Sequence, residues 1–180
     1  VCFIVKSDLF EEFVEHNNLR IHIDKILSSI RYEEEESLND AYKKIRELFA
    51  KFELSQDIKN ELLEAYETLA IDMDHLDIAK LVTAIEKPYL TIIASPNYID
   101  DSENNESIIQ NVKGKNQLFK AIKDMWISMY TPRSLKYRYK HNITTREKAA
   151  VIVQRMVDSE FAAHAYTDEE EIIDRKSTRL

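Results

Sequence analysis

An α+β domain is the fold class this sequence predicts, helix-rich with a small, mainly antiparallel sheet. Three observations lead there. Apolar residues recur at helical spacing over the first seventy positions and again after Gly114. Short β-branched runs (CFIV, TIIAS, SIIQNV and AAVIVQRMV) fall at the start, middle and end of the chain, so strands and helices come in blocks rather than in strict alternation. With 180 residues and no internal repeat, the chain suits a single domain over residues 1–180.

CFIV predicts a short buried strand. Ser7 is the expected cap of a first helix with Leu9, Phe10, Phe13 and Val14 on one face, stopped by Asn17 and Asn18. A second helix over residues 19–30 carries Ile23, Ile26, Leu27 and Ile30. The run EEEE at 33–36 predicts a solvated link whose charge favours the N-terminus of the next helix. That helix has Ser37 as its expected cap and Leu38, Ala41, Ile45, Leu48, Phe49 and Phe52 as its stripe. Ser55 caps a fourth, striped by Ile58, Leu62, Ala65, Tyr66 and Leu69, and the two are expected to pair as a helical hairpin over residues 37–70. A short helix is expected near 78–85.

TIIAS and SIIQNV then predict two strands around a polar loop without glycine. A loop between strands is a common place to grip phosphate, but convergent backbone N–H groups normally need glycine. Gly114 ends the second strand and leads into a helix with Leu118, Ile122, Met125, Trp126 and Met129 inward. Thr131 and Pro132 restart a helix, since proline suits the first helical position. AAVIVQRMV is a strand with which AHAYT (Ala163 to Thr167) is expected to pair, and the tail over 168–180 is expected to fray.

Composition sets limits on function. Apolar residues make up 44% and charged residues 32%, a globular mixture, and the net charge of −8 disfavours nucleic acid and anionic membrane as partners. The single cysteine, Cys2, excludes an internal disulfide framework and fits a cytoplasmic location. No apolar run approaches the roughly 20 residues that span a bilayer. VCFIV is too short for a secretory signal, and a first residue of Val implies a start inside a longer reading frame. One glycine, where average usage would give about a dozen, leaves little scope for backbone-lined ligand loops.

Few constellations point to chemistry. DMDHLD (72–77) has alternating acids but lacks the glycine turn and distal Glu of a calcium loop, so a solvated acidic turn is expected. The five His residues have no partner at zinc spacing. The helix PRSLKYRYKHN could contact an anion or RNA, but given the acidic total reads more simply as a solvated basic face. Gln154 shares a strand face with Ile152 and Met156, opposite Val151, Val153 and Val157, where it either reaches a ligand or lines a sheet edge.

NVKGKNQLFKAIKDMWISMYTPRSLKYRYKHN followed by VIVQRMVDSE resembles the N-terminal nucleotide-binding region of the phosphoenolpyruvate synthase (pyruvate, water dikinase) and pyruvate phosphate dikinase family. That region has an Asn-Val-x-Gly turn, an Arg-Ala-x-x-Tyr-Arg helix and a Val-Gln-Arg-Met-Val strand. FIVKSDLFEEFVEHNNL also looks like the segment near the family's Val-Pro-x-Gly-Phe start. The resemblance covers nearly the whole chain. It implies an ATP-grasp-like N-terminal subdomain, with ATP and Mg²⁺ as cofactors if the site is functional and none for this chain alone.

Carried over residue by residue, the resemblance matches the family's nucleotide Gln to Gln154 and leaves Ser107 as an imperfect substitute for a Thr. The family's strand Arg falls at Ile93 or Ala94. Its Gly-Gln-Gln turn falls in the 104–107 region with no Gly, beside Asp100 and Asp101, whose charge opposes phosphate. Cys2 and Ala163 stand where the family has glycines. The first-strand Lys would precede Val1, and the second-half ligands would follow Leu180. The expectation is a domain that has lost autonomous ATP-dependent phosphoryl transfer, a pseudoenzyme acting as a binding or assembly module with a protein partner or by self-association. The alternative is a genuine ATP-binding part of a phosphotransferase, completed by another chain or by further sequence.

Overall fold

The computed structural model describes residues 1–70, 87–96, 108–156, 164–168 and 171–175, the last two as backbone only. Among them are six helices and six strands: β1 (Cys2–Val5), α1 (Ser7–His16), α2 (Arg20–Ser28), α3 (Glu35–Lys51), α4 (Gln56–Ala70), β2 (Leu90–Pro96), β3 (Ile108–Val112), α5 (Lys115–Ser128), α6 (Pro132–Lys140), β4 (Ala149–Arg155), β5 (His164–Asp168) and β6 (Glu171–Arg175). The α+β class is borne out. The expected helix near 78–85, the acidic stretch 72–77 and the loop 97–107 lie outside the described residues.

Four strands form an antiparallel sheet in the order β1-β4-β2-β3. β4 alternates as a half-buried strand must, with Ala149, Val151 and Val153 packed inward. β2 does the same with Leu90, Ile92 and Ala94. The helices cover this inner face, where α1, α4 and α5 approach the strands. Aromatic side chains fill the layer between. Trp126 lies 5.7 Å from Phe10 and 5.5 Å from Phe13, and Phe13 lies 5.4 Å from Phe49, separations at which tilted rings attract. The inward set predicted for α5, Leu118, Ile122, Met125, Trp126 and Met129, is buried throughout. Tyr66 of α4 ties the layers together: its hydroxyl accepts from Gly114 N at 3.0 Å and donates to the Pro88 carbonyl at 3.2 Å.

Several expectations change. β1 is an edge strand with only Val5 buried, and Ile4 is 60% exposed. Helix α1 is capped by Lys6 in an extended conformation rather than by Ser7. Helix α3 starts at Glu35, and the Ser37 hydroxyl instead accepts the Arg31 backbone N–H from the preceding link. β5 pairs with β6 rather than with β4, which places a strand inside the tail expected to fray. The β4 edge offered to β5 is already taken, because β1 and β2 flank β4 on both sides.

Candidate functional site: the open face of the sheet

With the helices on one face, the other face of the sheet carries the alternate residues of each strand. In β4 these are Ala150, Ile152 and Gln154, set by the same alternation that buries Val151 and Val153. The register aligns them across the sheet. Ile4 pairs with Ile152, Ile152 with Ile93, and Ile93 with Ile108. One isoleucine from each strand therefore forms a row across all four, a span of roughly 14 Å at the usual strand spacing. Ile4 and Ile108, at the two edges, are 60% and 37% exposed, and Ile93 and Ile152 are half-buried.

Beside this apolar row lies a polar one. Cys2 pairs with Gln154, and Gln154 with Thr91. Gln154 is exposed, and its amide offers donors and acceptors at once. None of the outward positions of β1, β2 and β4 carries a charge. Such a face can take a flat apolar ring against β-branched side chains with an amide reading its polar edge. It can equally pack against a second apolar layer.

Of the two residues singled out in the sequence, Gln154 thus stands on this face, and Ser107 lies outside the described residues, as do Asp100 and Asp101. His16, His22 and His141 are exposed, and no group of three metal-ligating side chains occurs among the described residues. The solvated basic face expected of α6 needs correction at Arg138, which is buried and ion-paired with Glu147 at 3.2 Å. The isoleucine row was not singled out from the sequence. Its signal was the outward half of the alternation in TIIAS and AAVIVQ, which becomes a row only once the register is known.

A separate concavity of about 680 Å³ opens between α3, α5 and α6. Tyr42, Leu38 and Met125 give it apolar walls, and Asp124, Arg133 and Lys136 line it. Burial raises the Asp124 carboxyl above its usual range, against the opposing pull of Lys120, Arg46 and Lys123.

Among the described residues, fold and face together define a helix-backed antiparallel sheet domain with no helix on the side that bears Gln154. The chain belongs to the pyruvate phosphate dikinase AMP/ATP-binding domain family, whose sequence profile matches residues 1–89 and 102–178. Similar proteins include the probable phosphoenolpyruvate synthase of Methanocaldococcus jannaschii, 26% identical over 171 residues that cover 92% of this chain and 14% of that protein. The probable phosphoenolpyruvate synthase of Archaeoglobus fulgidus is 27% identical, over 95% of this chain and 23% of its own length. The phosphoenolpyruvate synthase of Aeropyrum pernix is 28% identical, over 95% and 21% respectively. The chain therefore spans less than a quarter of each of these relatives. No helix among the described residues is long and apolar enough to cross a membrane.

Proposed function

We propose that the open sheet face is the nucleotide side of this domain, and that the chain by itself binds or assembles rather than transferring phosphate. The observation that carries this reading is the isoleucine row. It puts Ile93 in register beside the Gln154 row, at one of the two positions where the family resemblance sets an Arg. The isoleucines and Gln154 suit an adenine-like base, with Gln154 as its amide contact and Ser107 as a weaker hydroxyl candidate. A triphosphate needs converging cations and donors, and the outward positions of β1, β2 and β4 supply no cation. The residues present thus fit the base and not the phosphates, so no transfer step is assigned to them. The remaining exposed apolar surface suits a second protein layer, in keeping with relatives several times longer than this chain.

Calorimetric titration with ATP and with adenosine, each with and without Mg²⁺, tests the reading. Weak binding of both, insensitive to Mg²⁺, with the adenosine heat lost in Gln154→Ala, is the expected result. ATP turnover by the chain alone would sink the loss of transfer. The absence of any heat or thermal shift at millimolar nucleotide would sink the nucleotide face. A second reading, a working ATP site completed by another chain or by further sequence, draws on the small share of each relative that is covered. It predicts Mg²⁺-dependent ATP binding that appears only when the remaining domains are supplied.

A further inference from the structure

A basic cleft lies in the helical layer, away from the open sheet face, and among the described residues no strand contributes to its walls. The link between α3 and α4, the first two turns of α4 and the first nine residues of α5 enclose about 440 Å³. Lys59, Lys115, Lys120 and Lys123 line it with the carboxylate of Glu53, and Asp124 lies within electrostatic reach of Lys120 and Lys123 from outside the cleft. Four ammonium groups around one hollow run against a chain whose net charge is −8. Two of the four are held in place by neighbours. Lys59 pairs with Glu53 at 2.5 Å, and Lys123 donates to the Phe49 and Phe52 carbonyls at 3.4 and 3.0 Å, at the end of α3. Lys115 and Lys120 stand on exposed positions of α5. Leu54 and Phe119 supply apolar wall, and the amides of Gln56 and Asn116 add uncharged donors.

We infer that this cleft binds a compact, multiply charged phosphate anion, either inorganic pyrophosphate or the phosphate chain of a nucleotide. Lysine acts on phosphate as a mobile point charge without demanding fork geometry, so several lysines around a hollow favour an anion of high charge over a lone carboxylate. A volume of this size lies within the range of small-ligand sites and is too narrow for a folded partner. The inference stands apart from the nucleotide reading of the sheet face, because it rests on other residues in another layer.

Titration with inorganic pyrophosphate at constant ionic strength, followed by calorimetry and thermal melting, is the test. Pyrophosphate is expected to raise the melting temperature, and Lys115→Gln/Lys120→Gln to weaken its binding at least tenfold. Both lysines are exposed, so this variant is expected to melt as the parent does without ligand. Glu53→Gln, whose carboxylate is 82% exposed, removes the competing negative charge and is expected to tighten binding several-fold. Gln154→Ala should leave the pyrophosphate titration unchanged. Unaltered affinity in the double lysine variant overturns the inference, as does equal stabilisation by sodium chloride at matched ionic strength. Repeating the pair of titrations with ATP separates the sources. Dependence on the two lysines for both ligands identifies the phosphate chain of a nucleotide as an occupant, and dependence for pyrophosphate alone identifies the inorganic anion.

Discussion

Arg138 and Glu147 form the most consequential pair of side chains in the described residues. Both are buried, their ion pair spans 3.2 Å, and Arg138 also donates to the Thr145 carbonyl. Removing one partner of such a pair strands a charge out of water, which costs about 3–5 kcal/mol, whereas replacing both with apolar residues is often neutral. Glu147→Ala is therefore expected to lose stability on that scale in urea denaturation, and Arg138→Met/Glu147→Leu to recover most of it. No pattern in PRSLKYRYKHN distinguishes Arg138 from its neighbours, since its partner sits beyond the helix and only the packed fold brings them together. Tyr130 feels the same network. Burial holds its phenol well above the usual range, Glu147 pushes the same way, and Arg20 and Arg138 pull against it. The folded state thus keeps the proton that the unfolded chain gives up near its ordinary pKa of about 10. That contribution to stability is complete below pH of about 10 and is lost as the pH rises beyond it. Melting temperatures are expected to fall above that pH, and less steeply in Tyr130→Phe. Parallel slopes for the two proteins would show that Tyr130 does not titrate on unfolding.

Among the elements, the helix ends explain how a chain with one glycine manages its turns. Helix α1 closes with Asn18 at φ 53°, the Leu19 N–H reaching the Val14 carbonyl and the Asn18 N–H reaching Glu15. Helix α6 repeats the arrangement, with Asn142 at φ 51°, Ile143 bonding to Arg138 and Asn142 to Tyr139. Both are Schellman closures in which asparagine takes the left-handed position usually given to glycine. Asn142→Ala is expected to cost about 1–2 kcal/mol, because Ala lacks the short polar side chain whose local hydrogen bonding lets Asn tolerate the left-handed position, and Asn142→Gly is expected to cost none. Gly114 is different. At φ 84° and ψ 162° it occupies a region essentially reserved for glycine, and an added Cβ would meet nothing within 4 Å. Gly114→Ala is therefore expected to cost about 1–3 kcal/mol from the backbone alone, checked by thermal melting of the pair. The asparagine stop of α1, the Gly114 entry to α5 and the Thr131–Pro132 start of α6, where the Ser134 N–H reaches the Thr131 hydroxyl, were all legible locally. Ser7 and Ser37 misled. A serine near a helix start competes for its cap with any residue already extended there, and Ser37 spends its hydroxyl on the preceding link.

At the scale of the whole molecule, what the sequence could not supply was register. β4 lies between β1, at the other end of the chain, and β2, so its outward residues meet neighbours that no local pattern names. The alternation did place Gln154 and Ile152 on one face, and the family resemblance picked out Gln154. It left two positions, Ile93 and Ala94, for the absent Arg. Strand geometry separates them. Ile93 pairs with Ile152 and faces the Gln154 side, whereas Ala94 pairs with Val151 and is buried at 8% exposure against the helices. A guanidinium at Ile93 would stand in solvent, and one at Ala94 would be driven unpaired into the core. Ile93→Arg, at a half-buried position, is accordingly expected to cost about 1 kcal/mol, near the centre of point-mutation effects, and Ala94→Arg to cost several kcal/mol. If a missing cation is what keeps phosphates off this face, Ile93→Arg should also raise the thermal shift produced by ATP, by the linkage between binding and stability. The shift with adenosine should stay as it was. An ATP response in Ile93→Arg no larger than in the parent would mean that the phosphates fail on this face for a reason other than charge.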